Sequence, residues 1–341
     1  MAYAQNSLQY KSPHSEEREP SRRQLLIAWG LAALAAAASA SYPLRAIGVT
    51  FQDRLPDYII SNRKIVGTVV KRANPDATNQ IYYIAQDHRN AITGKTTEQV
   101  VKAQTEIYRI CEYIFLRRDL NLFFNEGRNS GTNYKRSTTN KKISLQIGNK
   151  NVNELRQKPS DATLEAILGN DSLFKNTPQH QDIIGLSLLS LKYPINMQGV
   201  RDWRLINLVL QNPPELIGTN LHLHLAEFST GVELQTILQI IEREIKAERS
   251  SYRNAVVLSG LAHMDELYKY LDQGKIAVDP VKRNDLPKLN LEGIDDKIIN
   301  LLIKGMNEPL ELLQQGYGIS IIFPQTLFEK YPELLPKEMR R

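Results

Sequence analysis

The sequence predicts an α/β fold: a mostly parallel sheet flanked by helices. Three observations carry this. Ile81-Tyr82-Tyr83-Ile84-Ala85, Leu122-Phe123-Phe124 and Ala255-Val256-Val257-Leu258 are short, wholly apolar runs, as expected of strands buried on both faces of a parallel sheet. Longer segments with apolar residues at helical spacing separate them, giving the strand–helix alternation of an α/β chain. With 42% hydrophobic and 23% charged residues over 341 positions, the composition excludes a wholly disordered or collagen-like chain.

Taken in order, Arg63-Lys64-Ile65-Val66-Gly67-Thr68-Val69-Val70 reads as a strand, and the run at Ile81 as the next. The spacing predicts a helix over 97–117, with Val100, Val101, Gln104, Ile107, Ile110, Cys111, Ile114 and Phe115 on one face and Thr96 or Thr97 as its cap. The strand at Leu122 follows. Residues 128–150 are rich in Asn, Thr, Ser and Lys and read as a polar loop or insertion, a candidate lid. Helical patterns occupy 160–168 and 179–192. Ile195-Asn196-Met197-Gln198 is a weaker strand, and a helix over 202–210 stops before Pro213-Pro214. Thr230-Gly231-Val232-Glu233 has capping-box spacing and predicts a helix from there to about position 252. The strand at Ala255 and another helix come next. Ile319-Ser320-Ile321-Ile322-Phe323 is a last strand, stopped by Pro324. No dinucleotide fingerprint, phosphate loop or Gly-x-Ser-x-Gly elbow is present, which argues against a Rossmann dehydrogenase or a serine α/β-hydrolase.

The chain's beginning reads as an export leader. A polar stretch ends in Ser21-Arg22-Arg23-Gln24-Leu25-Leu26. An alanine-rich apolar run then extends from Leu25 to Ala38, too short to span a bilayer comfortably, and closes on Ala38-Ser39-Ala40, a small-residue cleavage pattern. The paired arginines resemble a twin-arginine signal, a route taken by folded and often cofactor-loaded proteins. The expected organisation is therefore a leader over 1–40 and a single α/β domain over 41–341, located outside the cytoplasm, with the membrane met only in transit. The single cysteine, Cys111, allows no intramolecular disulfide, and its place on an apolar helix face predicts a buried, inert thiol. A net charge of +6 is mild for this length and does not imply nucleic acid.

Four apolar runs finish in a charged or reactive group: His88, then Glu126, then Arg201 with Asp202, then His263. Ligands of open α/β sheets bind beyond the carboxyl ends of the strands, so parallel neighbours would bring these residues to one rim. His88, Glu126 and His263 make a set suited to a divalent transition metal with an open position for water. They serve equally as a metal-free acid/base set. Arg201 suits a substrate carboxylate or a developing oxyanion.

Ser259-Gly260-Leu261-Ala262-His263 after a strand resembles the Gly-x-x-His motif shared by the TraB/Tiki, erythromycin-esterase and ChaN-like groups. Ile84-Ala85-Gln86-Asp87-His88 looks like a first copy, with Ala85 where the motif has glycine. Glu126 in Phe124-Asn125-Glu126-Gly127 looks like the acidic residue that follows the next strand, and Gly199-Val200-Arg201-Asp202 resembles a segment that precedes a helix there. The resemblance implies an α/β fold of two related halves with helical insertions. It implies either a metal-dependent peptidase or a metal-free esterase acting on a peptide or small-molecule substrate. The alternatives are a haem-binding protein and a relative that keeps the fold without the chemistry.

Other features carry less. His222 and His224 would face one side of a strand and could share a metal there, but they diverge on a helix. Tyr82 and Tyr83 suit core packing, with a pocket-lining role as the second reading. Lys135, Arg136, Lys141 and Lys142 read as a solvated surface, and His180 as a surface or loop residue.

Overall fold

Strands β1 (Tyr58–Ser61) and β2 (Lys64–Ala73) form an antiparallel hairpin. Asn62 and Arg63 join them, both with positive φ, the connection whose twist matches that of the strands. The structure is a computed structural model. It describes residues 54–87, 95–117, 122–129, 136–171, 185–201, 203–246, 254–310, 313 and 316–340, all within the unit Gln52–Arg341. The expected leader, His180 and Lys135 lie outside the described residues.

The hairpin forms one edge of a sheet that continues through β9 (Tyr317–Pro324), β3 (Asn79–Gln86), β6 (Asn254–Gly260), β4 (Leu122–Asn129) and β5 (Asn196–Arg201). The last five strands are mutually parallel, as the apolar runs predict. Strands β3 and β6 pair without a register shift from Gln80↔Asn254 to Gln86↔Gly260. The Asn254 side chain fastens the beginning of that ladder by accepting from the Gln80 amide at 2.8 Å. β4 joins at Asn125↔Leu258, and β5 at Asn125↔Gly199. The carboxyl ends of β3, β6, β4 and β5 therefore lie side by side along one edge.

Helix α1 (Glu98–Arg117) covers one face of the sheet. Its cap is Thr97, whose hydroxyl accepts from the Val100 amide at 3.2 Å. The Cys111 thiol is buried beneath it, and burial alone raises its pKa far above the ordinary thiol range. Helix α2 (Arg136–Arg156), α3 (Asp161–Leu168) and α4 (Gly185–Ser190) complete this layer against Tyr82, Ile84, Phe123, Val256 and Leu258. Buried Arg109 binds Asp161 at 2.9 Å, Glu112 at 3.2 Å and the Pro159 carbonyl, tying α1 to α3. Helix α5 (Trp203–Leu210), the short α6 (Pro214–Ile217), α7 (Thr219–Lys246) and α8 (Met264–Gln273) lie on the other face, against Tyr83, Phe124 and Val257. The hairpin of β7 (Lys275–Val278) and β8 (Met306–Pro309) packs there with α9 (Asp296–Lys304), and α10 (Gln325–Lys330) follows β9.

Two expectations need correction. The polar stretch 128–150 is not an extended loop: β4 runs on to Asn129, and α2 takes up Arg136–Arg156 with a kink at Gly148. Ile147, Val152 and Leu155 anchor it in the core, and the kink obscures their helical period in the sequence. The helix expected from Thr230 begins at Thr219 instead, and Thr230 and Gly231 are interior to it. Gly231 is a contact point rather than a boundary, since a Cβ there would sit 2.9 Å from Ile276 Cγ2 on β7.

Gly185 marks the closest approach of α4 to α1. A Cβ there would lie 2.1 Å from the Gln104 carbonyl oxygen and 2.9 Å from the Tyr108 amide nitrogen. Gly185→Ala should therefore cost roughly 1–3 kcal/mol of stability in denaturant titration. Glu106 of α1 accepts from the amide and the hydroxyl of Thr326, each at 2.9 Å, at the start of α10. Burial is the main cause raising its carboxyl from 4.5 to about 7. The folded state thus favours the neutral acid: the group's stabilising contribution is complete below 4.5 and lost as pH rises through about 7. At about 1.4 kcal/mol per tenfold change in proton affinity, the effect is of order 3 kcal/mol. Glu106→Gln should remove that part of the fall in stability when unfolding is followed across this pH window.

Candidate functional site

The strand ends define the site. Gly260 closes β6 with φ −61° and ψ 149°, ordinary extended values, and a 3-10 turn over Leu261–His263 leads into α8. Nothing in that backbone requires glycine, and Ala85, three residues before His88 as Gly260 is before His263, lies on β3. Ala85 is fully buried and pairs with Ser259, while Gln86 pairs with Gly260, so Ala85 and Gly260 stand one rung apart on the ladder.

His263 is partly buried, and its Nδ1 lies 2.7 Å from Thr230 Oγ1 near the middle of α7. The Thr230 hydroxyl also lies 3.0 Å from the Ala226 carbonyl, and when its single proton is given to that carbonyl it accepts from the ring. With the hydroxyl proton on the Ala226 carbonyl, a neutral imidazole carries its own proton on Nδ1, which is the tautomer that leaves Nε2 to act as a general base or a metal ligand. Glu233, one turn beyond Thr230, joins Tyr83, Ser259, Leu234, Ile237, Leu267 and this pair around a cavity of about 10 Å³. Burial, followed by the charge of Glu233, pushes the Tyr83 phenol well above its ordinary range. Glu266 on the first turn of α8 is raised by burial, while the charge on His263 acts the other way.

The other expected residues are placed by topology. β3 ends two residues before His88, which lies outside the described residues. Buried Gln104 holds the chain just ahead of it: Nε2 donates to the Asp87 carbonyl at 2.5 Å, and Oε1 accepts from the Gly185 amide at 2.9 Å. Glu126 follows Asn125 on β4, and Arg201 ends β5 opposite Asn129. The side chains of Glu126 and Arg201, and Asp202 as a whole, lie outside the described residues, as do the side chains of Arg136, Lys141 and Lys142. Four strand ends are thus gathered on one edge, with His263 the described side chain among them.

Thr230 and Glu233 read in the sequence as a capping box rather than as site residues, and Tyr83 has pocket lining only as its second reading. The available signal was the helical spacing of Thr230, Glu233, Leu234 and Ile237, which share one face of α7. His222 and His224 sit on the same helix and diverge: His222 Nδ1 meets the Asn212 carbonyl at 2.9 Å, whereas His224 lines a groove of about 500 Å³ near the start of α7. Among the described residues, no three His, Cys, Asp or Glu side chains are grouped to hold a metal ion, and no helix is long and apolar enough to cross a membrane. The chain matches no protein-family model, no curated protein and no solved structure.

Thr230→Val keeps the shape of the side chain and removes the acceptor. The His263 ring should then shift toward the Nε2–H tautomer, read from its nitrogen NMR shifts, with about 1 kcal/mol of stability lost. An unchanged ring would show that Thr230 does not hold it.

Proposed function

We propose that the protein is an exported hydrolase acting on a peptide or ester bond at the carboxyl edge of its sheet, with His263, His88, Glu126 and Arg201 as the working residues. The observation that carries this reading is the strand order β3-β6-β4-β5, four parallel neighbours: Arg201 ends β5, Glu126 lies in the second half of β4, and His88 and His263 follow the ends of β3 and β6 by two and three residues in the sequence. His263 Nε2 takes a proton from the attacking water while Thr230 steadies the ring, and Arg201 offsets charge developing on the carbonyl oxygen. Where His88, Glu126 and His263 hold a divalent ion, the ion supplies the Lewis acidity that lowers the pKa of a bound water toward ~7. The orientation of His263 suits both forms of the reaction. The leader over 1–40 completes the proposal by placing the activity outside the cytoplasm.

The test is turnover of peptide and ester substrates by the purified chain and by His88→Ala, Glu126→Ala and His263→Ala. Each substitution should reduce turnover by at least about 100-fold, the scale of a lost acid–base group. Unchanged turnover in all three would overturn the assignment. Elemental analysis of the same sample separates the two forms, since a stoichiometric transition metal marks the metal-dependent one. A Soret band would replace both with haem binding.

A further inference from the structure

Tyr83 lies on β3, is 3% exposed, and its hydroxyl finds no donor or acceptor among the described residues. A buried hydroxyl left without a partner is costly and uncommon. This one borders the cavity of about 10 Å³ enclosed with Thr230, Glu233, Ser259 and His263. That volume corresponds to about one water, and Tyr83, Thr230, Glu233, Ser259 and His263 bring polar side chains to a lining completed by Leu234, Ile237 and Leu267. The strand register explains the placement. Tyr83 pairs with Val257 and Ala85 with Ser259, so the phenol and Ser259 share the face of the sheet that meets α7.

We propose that this cavity is a binding site for a single water, which accepts a hydrogen bond from the Tyr83 hydroxyl and donates toward the Glu233 carboxylate. Tyr83 is suited to the donor role because burial and the charge of Glu233 keep its proton in place. The carboxylate supplies the matching acceptor on the facing helix. The bound water links β3 to α7 beside His263. It also forms a short chain of exchangeable protons, Tyr83–water–Glu233, next to the candidate base. The inference rests on the cavity and the phenol, not on the hydrolase reading, and it stands or falls separately from it.

The experiment compares the full chain with Tyr83→Phe, which removes only the hydroxyl. Crystal structures at atomic resolution should show one ordered water within hydrogen-bond distance of Tyr83 Oη, absent from the variant. Thermal unfolding gives a second reading. If water satisfies the hydroxyl, Tyr83→Phe lowers Tm. If the hydroxyl is unsatisfied, its removal relieves a burial cost and raises Tm. No water beside Tyr83, a water unmoved in the variant, or a higher Tm for Tyr83→Phe each overturns the proposal.

Discussion

The unbroken parallel ladder between β3 and β6 is the constraint on which the rest depends. Each strand is buried on both faces, so its residues alternate between two cores: Tyr82 and Ile84 face α1, while Tyr83 and Ala85 face α7 and α8. A slip of one residue would exchange these sets. Tyr83 would leave the neighbourhood of His263, and the end of β3 would no longer be level with Gly260. The bond from Gln80 to Asn254 at the start of the ladder and the Gln104 clamp on Asp87 at its end secure the same register from both sides.

The carboxyl edge is also where the interior changes character. The middle of the sheet is mostly apolar, with Ser320 on β9 and Thr68 on β2 as buried exceptions, and Gln86, Asn125, Gln198 and Ser259 are buried toward the carboxyl edge. Polar groups taken from water cost free energy unless they are paired, so a core optimised only for stability would replace them. Their concentration on the edge that carries His263 is what one expects where stability is traded for a preorganised polar environment.

Much of the architecture was legible because its signals are local and redundant. The apolar runs at Ile81, Leu122, Ala255 and Ile319 are strands buried on both faces, and they read that way without knowledge of their neighbours. The helix at 98–117 was equally plain, down to its Thr97 cap. Illegible elements were those decided by tertiary contact. Gly231 resembles a helix boundary until Ile276 is seen pressing against it, and Gly148 breaks the period that joins Ile147 to Val152 and Leu155. The short strands β1, β7 and β8 lack sustained patterns of their own, whereas β2 reads as a strand from Arg63 to Val70. At the site, His263 stood out because it follows a strand, but its partner Thr230 is 33 residues away in sequence and meets it only through packing of α7. Tyr83 could be placed in the core, but not beside Glu233, for the same reason.

The isolation of Cys111 has a practical side. The protein's one thiol is sealed beneath α1, and its reactive thiolate form is suppressed by the apolar surroundings. Maleimide added to the folded protein therefore finds no native target. A cysteine introduced at a surface position such as Leu216 or Leu223 becomes the sole attachment point for a fluorophore or spin label, without first removing a residue from the core.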